Sequence, residues 1–255
     1  MRIFIPKARI IHPQSAKNDT VQDLWIENGK LHSAPENASE IADKIYEEGL
    51  CVSPGWVDLR ARSFDPGFPE KENLRSLLAA GSLGGFTHIG IMPDSAPSAD
   101  QRSILEYWKS QSLGAEANPV FLGSLSKKNE GQEIAELFDL KEFGAKAYTD
   151  VGRPIKNTLF LKVAMEYASM TELTLVLRPD DPYLYNSGES SESAASHNSG
   201  MASIPDISEK FGIHKICQMA AYPVCKVHLS SISTVIGVEG IKAWKDKGLE
   251  ITADV

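Results

Sequence analysis

The 255-residue sequence has no surplus of basic charge, no long apolar run and too few cysteines for a disulfide frame. Lys and Arg number 26 against 34 Asp and Glu, giving a net charge of -8. Nucleic-acid binders need a basic face to neutralise phosphates, so that class is disfavoured. No apolar stretch approaches the ~20 residues that cross a bilayer, which argues against a membrane protein. The opening "MRIFIPKARI" lacks the apolar core and cleavage site of a secretory signal. Cys51, Cys217 and Cys225 are unevenly spaced with no C-x-x-C pair. Reduced core thiols and a cytoplasmic location are the expectation. His12, His32, His88, His197 and His214 show no metal-ligand spacing either.

Residues 1–52 read as a small β unit. "RIFIPKARII" and "TVQDLWIENGKL" are β-rich, and Asn28-Gly29 is a strong two-residue hairpin signal. From residue 53 the pattern becomes strand then helix, repeatedly. Strand-like runs occur at 55–59, 86–92, 119–125, 145–149, 173–178, 225–230 and 249–255. Helix-like segments such as "KENLRSLLAAGSLG", "ADQRSILEYWKSQSLG", "NTLFLKVAMEYASM" and "TVIGVEGIKAWKDKG" lie between them. Apolar strands alternating with helices imply a parallel sheet covered by helices. The fold class is therefore α/β: a (β/α)8 TIM barrel, strands one to seven over 53–255, with its last part absent from this chain. An open seven-strand sheet exposes an edge, so the natural protein is expected to continue past Val255. "GSLGGF" at 81–86 follows a helix and precedes a strand, the reverse of a phosphate loop, and reads as a helix end and tight turn. The low-complexity segment 186–203 reads as a flexible surface loop after strand five, with an active-site lid as the alternative.

Barrel sites form at the C-terminal ends of strands. Collecting the polar residues there gives Asp58, Arg60 and Arg62 from strand one, Asp94 after strand two and Asp150 after strand four. Arg178 from strand five and His228 from strand six complete the set. The centrepiece is "VSPGWVDLRARSFDPGF", 52–68, in which an Asp is followed by two alternating arginines.

These segments resemble dihydroorotase, of the amidohydrolase superfamily. "IENGKL" is similar to the N-terminal part of that family's composite β-sandwich. "SPGWVDLRARSFDPG" resembles its strand-one motif, Pro-Gly-x-x-Asp-x-His-x-His-x-Arg-x-Pro-Gly. "GGFTHIGIMPDSAP", "AYTDVGRPIKN" and "HLSS" resemble the motifs of strands two, four and six. The Asp-x-Gly-Arg-Pro context favours the type I dihydroorotase branch over hydantoinase. The resemblance implies a metal-dependent-hydrolase barrel and a zinc centre held by two strand-one histidines, the strand-four Asp, the histidines of strands five and six, and a strand-eight Asp. Zinc hydroxide there opens dihydroorotate to N-carbamoyl-aspartate, and a strand-one Arg and a strand-two Asn grip the substrate carboxylate.

The chemistry-bearing positions depart from that pattern. Arg60, Arg62 and Arg178 stand at histidine positions, Phe64 at the substrate Arg and Asp94 at the substrate Asn. Asp150 and His228 are the surviving ligand positions. Zinc needs a lone pair from neutral imidazole, thiolate or carboxylate, whereas guanidinium has none to give at any pH a protein survives. No cofactor is expected, and no catalytic residue is intact. The implied function is a pseudo-dihydroorotase of pyrimidine biosynthesis, acting as a scaffold or partner subunit, with aspartate transcarbamoylase as the expected partner, and forming a homodimer. Two alternatives are an active cyclic amidohydrolase with a rearranged metal site and a small-anion sensor. The arginines are expected to pair with Asp58, Asp94 and Asp150, in place of the missing dications. Asp180-Asp181 reads as a turn or capping element.

Overall fold

A computed structural model describes residues 1–185 and 188–255, and its chain divides into two compact units, Met1–Trp56 and Val57–Val255. In the first unit, β1 (Arg2–Ile10) pairs antiparallel with β2 (Val21–Glu27), and β2 with β3 (Lys30–Ser33). A single turn, α1 (Ala38–Ile41), precedes β4 (Lys44–Ile45) and β5 (Cys51–Val52), both parallel to β1. Asn28 and Gly29 join β2 to β3 with φ of 52° and 72°. A two-residue turn with two positive φ values matches the twist of a hairpin, and this is why the Asn-Gly pair was so informative. Phe4, Trp25 and Ala38 form one small core, and Ile5, Ala8 and Leu24 another.

The second unit follows the strand–helix repeat. Its elements begin with β6 (Trp56–Ala61), α2 (Leu74–Leu83), β7 (Phe86–Ile91), α3 (Arg102–Gln111), β8 (Asn118–Ser124), α4 (Leu137–Glu142) and β9 (Ala147–Thr149). They continue with α5 (Thr158–Thr171), β10 (Thr174–Leu177), α6 (Pro182–Tyr185), β11 (Ser190–Ser191), α7 (Ala194–Ser199) and β12 (Ser203–Ile204). The last four are α8 (Asp206–Ala220), β13 (Val227–Leu229), α9 (Val235–Asp246) and β14 (Ile251–Ala253). The main sheet runs β6-β7-β8-β9-β10-β13-β14, in sequence order, and every pair from β7 onward is parallel. It is the curled parallel half-barrel that the sequence pattern implies.

Buried apolar faces of the helices drive this arrangement. Leu74 and Leu78 on α2, Leu105 and Trp108 on α3, and Leu161 and Met165 on α5 pack with Ile89, Ile91, Tyr148 and Leu175 of the strands in one continuous core. Each fully buried side chain of this size contributes roughly 1.5–3 kcal/mol. Strand spacing is set in part by Gly90, where a Cβ would overlap the Leu59 carbonyl. "GSLGGF" is a helix end, as expected: Gly84 caps α2, and Gly85 turns the chain into β7 with φ of 86°.

The 186–203 segment differs from expectation. Asn186 and Ser187 lie outside the described residues. From 188 onward the segment is not a plain loop: β11 and β12 pair in parallel around α7. Ser193 caps α7 by accepting from the Ser196 N–H, and the Ser196 hydroxyl is engaged in return. Serine reads as disorder in composition, yet at a helix start it supplies the acceptors that the free N–H groups need.

Among the described residues no helix is long and apolar enough to cross a membrane. Cys217 and Cys225 are buried, which pushes both thiols up to about 12 and keeps them protonated. Cys51 is exposed, which departs from the expectation of three core cysteines.

Candidate functional site

The alternation of β6 decides which of its side chains share a face. Asp58, Arg60 and Arg62 are two residues apart, and all three line one cavity of about 530 Å³. Arg178, Ser230, Ser231 and Asp254 line it from the far strands, with Met92 and Val151. Two of the three carboxylates expected to pair with these arginines, Asp58 and Asp150, do not do so.

Arg60 spans the open sheet from its first strand to its last. Its Nη1 donates to Ser231 Oγ at 2.8 Å and its Nη2 to Asp254 Oδ1 at 2.9 Å. Asp58 does not pair with an arginine side chain; its Oδ1 accepts the Arg60 backbone N–H at 2.8 Å. Arg178 pairs with Asp180, two residues away, at 2.6 Å, and its guanidinium lies over the Tyr185 ring. Only the Arg62–Asp94 pair is as expected, with Nε 3.2 Å from Oδ2.

Asp150 stays apart from this cluster. Its carboxylate accepts from the Ser126 N–H at 2.8 Å and the Ser126 hydroxyl at 2.6 Å. It faces a different cavity, with Arg153, Lys156 and Tyr185. Burial raises its pKa, and the Ser126 bonds offset this only in part. His228 joins the arginine side instead. Its Nε2 lies 3.1 Å from Asp254 Oδ2 and its Nδ1 2.9 Å from Thr252 Oγ1. Phe64 sits after β6 with φ of 55°, its ring beneath the Lys71 ammonium.

Asp254 was not anticipated, although it is the hub. It takes the Ser231 N–H at 2.7 Å as well as Arg60 and His228. Burial acts to raise its pKa, but these hydrogen bonds and the Arg60 charge outweigh it, and the carboxyl is held below its usual value. The only signal in the sequence was its place at the C-terminal end of the seventh strand. Asp65 was missed too. It is buried, and it clamps the loop after β6 onto α3 by accepting from Tyr107 Oη at 2.7 Å and, through its carbonyl, from Trp108 Nε1 at 2.5 Å. Asp181 behaves as a cap, accepting from the N–H groups of Tyr183 and Leu184.

Asp94 is the strained member of the set. Both carboxylate oxygens are buried and lack an aligned hydrogen-bond donor among the described residues, despite the nearby Arg62 charge. Burial therefore raises its pKa, with Arg62 pulling the other way. A raised carboxyl favours folding in its neutral form. That contribution is complete below about pH 4, the unfolded value, and is lost as pH rises through the folded pKa. Asp94→Asn is thus expected to stabilise the protein at pH 7 by about 1 kcal/mol and to leave it little changed at pH 4. Urea titrations at both pH values check this. A variant less stable than the parent at pH 7 would mean that the Arg62 ion pair outweighs the desolvation.

The donor set does not suit zinc. Among the described residues no three His, Cys, Asp or Glu side chains gather as a potential metal site. The groups that do gather around His228 and Asp254 are guanidinium, hydroxyl and backbone N–H, all hydrogen donors.

The half-barrel agrees with the folds of known proteins. L-Hydantoinase (dihydropyrimidinase) from Arthrobacter aurescens superposes with a TM-score of 0.75 at 17% identity, over 98% of this chain and 57% of that one. A D-hydantoinase structure gives 0.74 at 19%, over 99% and 57%. At such identities the likeness concerns the fold alone. In sequence, the dihydroorotase of Carboxydothermus hydrogenoformans is 32% identical over 91% of this chain and 54% of its own length. That of Syntrophus aciditrophicus is 30% identical over 100% and 60%. The chain thus spans little more than half the length of these relatives. The family model described as dihydro-orotase-like matches residues 49–236, which takes in every strand from β6 to β13 and every residue of the cluster except Asp254. With most of its length and its sheet order accounted for in this way, the chain belongs to the dihydroorotase-like family of amidohydrolases.

Proposed function

We propose that this chain is a dihydroorotase-like protein that has exchanged its zinc centre for ion pairs and serves as a non-catalytic partner in pyrimidine biosynthesis. The observation that carries the reading is the set of three arginines at the positions where the family resemblance puts metal-binding histidines. Each is satisfied by a carboxylate within the chain: Asp254, Asp94 and Asp180. A guanidinium cannot ligate zinc, and it would add positive charge beside a dication. Without the metal, a water molecule keeps a pKa far above 7, and no hydroxide nucleophile forms at neutral pH. Phe64 and Asp94 remove the cationic and amide groups that the resemblance assigns to substrate, so an anionic carboxylate would meet a ring and a like charge.

The partner we infer is aspartate transcarbamoylase, whose reaction precedes that of dihydroorotase, with the chain acting as a dimeric cytoplasmic scaffold subunit. Neither nucleic acid nor membrane enters this reading, in keeping with the acidic balance of the sequence.

Purified protein is expected to carry no stoichiometric zinc by elemental analysis and to hydrolyse dihydroorotate at background rate. It should also be retained on immobilised aspartate transcarbamoylase. One or two zinc ions per chain with measurable hydrolysis would establish the rearranged-metal enzyme instead. Failure of retention with zinc absent would remove the partner assignment and leave the metal-free reading standing.

A further inference from the structure

We infer that the arginine-lined cavity is a binding site for a small oxyanion, a carboxylate or phosphate, distinct in chemistry from both metal binding and catalysis. The unused guanidinium donors at the cavity wall point this way. Of the charged side chains that line it, Arg60 and Asp254 neutralise each other at 2.9 Å. Arg62 and Arg178 are each paired in turn, with Asp94 at 3.2 Å and Asp180 at 2.6 Å, so net charge does not decide the ligand. The carboxylates paired with those two arginines, Asp94 and Asp180, are not part of the wall.

Hydrogen-bond capacity carries the inference. A guanidinium carries five N–H donors. Arg178 commits Nε to Asp180, and neither of its terminal nitrogens has a hydrogen-bond partner among the described residues. Arg62 Nε lies 3.2 Å from Asp94 as an ion pair without an aligned hydrogen bond, and its Nη2 reaches only the Val151 carbonyl, at a long 3.5 Å. Two half-used planar forks on one cavity suit oxygen anions that accept paired bonds. Arg60 holds the sheet ends together and is the fixed part of the site; Arg62, with half of its side chain exposed, is the free arm. A cavity of about 530 Å³ exceeds what a bare ion needs and falls in the range of small-molecule sites. Val57, Leu59, Met92 and Val151 on its wall can meet an apolar body attached to the anion.

This inference does not depend on the partner assignment, and zinc content is not its readout. Isothermal titration of the intact chain with malonate and, separately, inorganic phosphate tests it, each against sodium chloride at equal ionic strength. Saturable binding of either probe is expected, and the arm that binds identifies the ligand's acid group. Arg62→Gln and Arg178→Gln should each weaken binding about tenfold, the size of one charge-assisted hydrogen bond. Arg178→Lys keeps the charge but loses the fork, and should recover only part of the affinity. Unchanged far-UV circular dichroism and thermal midpoint in the unliganded variants would show that the loss is local. No saturable binding by either probe beyond the chloride control would overturn the proposal. So would binding that both glutamine variants leave intact while folded.

Discussion

Arg60→Ala is expected to lower stability by roughly 2–4 kcal/mol, because two charge-assisted hydrogen bonds disappear and a partly buried carboxylate loses its cation. Among the described residues, Arg60 is the side chain that ties β6 to Asp254, beyond β14, by an ion pair. The Arg60 and Asp254 side chains are 29% and 20% exposed, so solvent cannot fully take over the lost partner. Asp254 carries the second part of the effect. Its pKa is depressed in the folded state, so its stabilising contribution is present above the unfolded value near 4 and fades as pH falls through the folded one. In Arg60→Ala the depression shrinks, and the penalty should therefore be larger at pH 7 than at pH 3. Arg9→Ala is the control. Arg9 also pairs with a carboxylate, Asp19, but both side chains are more than half exposed. Exposed pairs are screened by solvent and contribute little, so its loss should be small. Equal losses in the two variants, measured by urea unfolding, would show that the cross-sheet bridge is only a surface ion pair.

The second large effect concerns metal. Replacing Arg60, Arg62 and Arg178 together by histidine should take the protein from no stoichiometric zinc to about one ion per chain, since neutral imidazoles supply the lone pairs that guanidinium lacks. His228, already hydrogen-bonded to Asp254, would complete a nitrogen-rich set. Its contact with Asp254 is the outer support that orients a ligating imidazole. Asp150 is less available, because Ser126 occupies both its oxygens. Dihydroorotate hydrolysis should stay at background, as Phe64 and Asp94 still offer the substrate carboxylate no grip. A triple variant that takes up no zinc would indicate that the strand ends no longer have ligand spacing. One that hydrolyses dihydroorotate would show that the two substrate positions matter less than the metal.

Much of the architecture was legible because it is local. Asn28-Gly29, the glycines of "GSLGGF" and the apolar runs from "GWVDL" to "LEITADV" each specify a turn or strand through their own backbone preferences, and each is where it was expected. The gathering of Arg60, Arg62 and Arg178 was legible for a similar reason, since barrel topology brings strand ends together. What failed was partner choice. Whether Arg60 reaches Asp254 or Asp150 depends on side-chain direction across the sheet, and Asp150 is claimed first by Ser126, 24 residues earlier. Arg178 is satisfied so locally by Asp180 that a search among strand ends overlooked it. The segment 188–203 went unread because serine-rich composition masks a capped helix.

Glu209 shows how far such distant claims extend. This buried α8 carboxylate accepts the N–H and hydroxyl of both Ser233 and Thr234, at the start of α9. It has room only because residue 237 is glycine: a Cβ there would land on the Glu209 carboxylate. The two positions, on successive helices, thus form an epistatic pair. A side chain at 237 must push the Glu209 carboxylate off its four donors, yet should become tolerable once 209 is shortened, so the cost of the double substitution is expected to fall short of the sum of the single ones. Mutational tolerance in this part of the chain is a property of residue pairs, and a scan of single substitutions would misjudge both members.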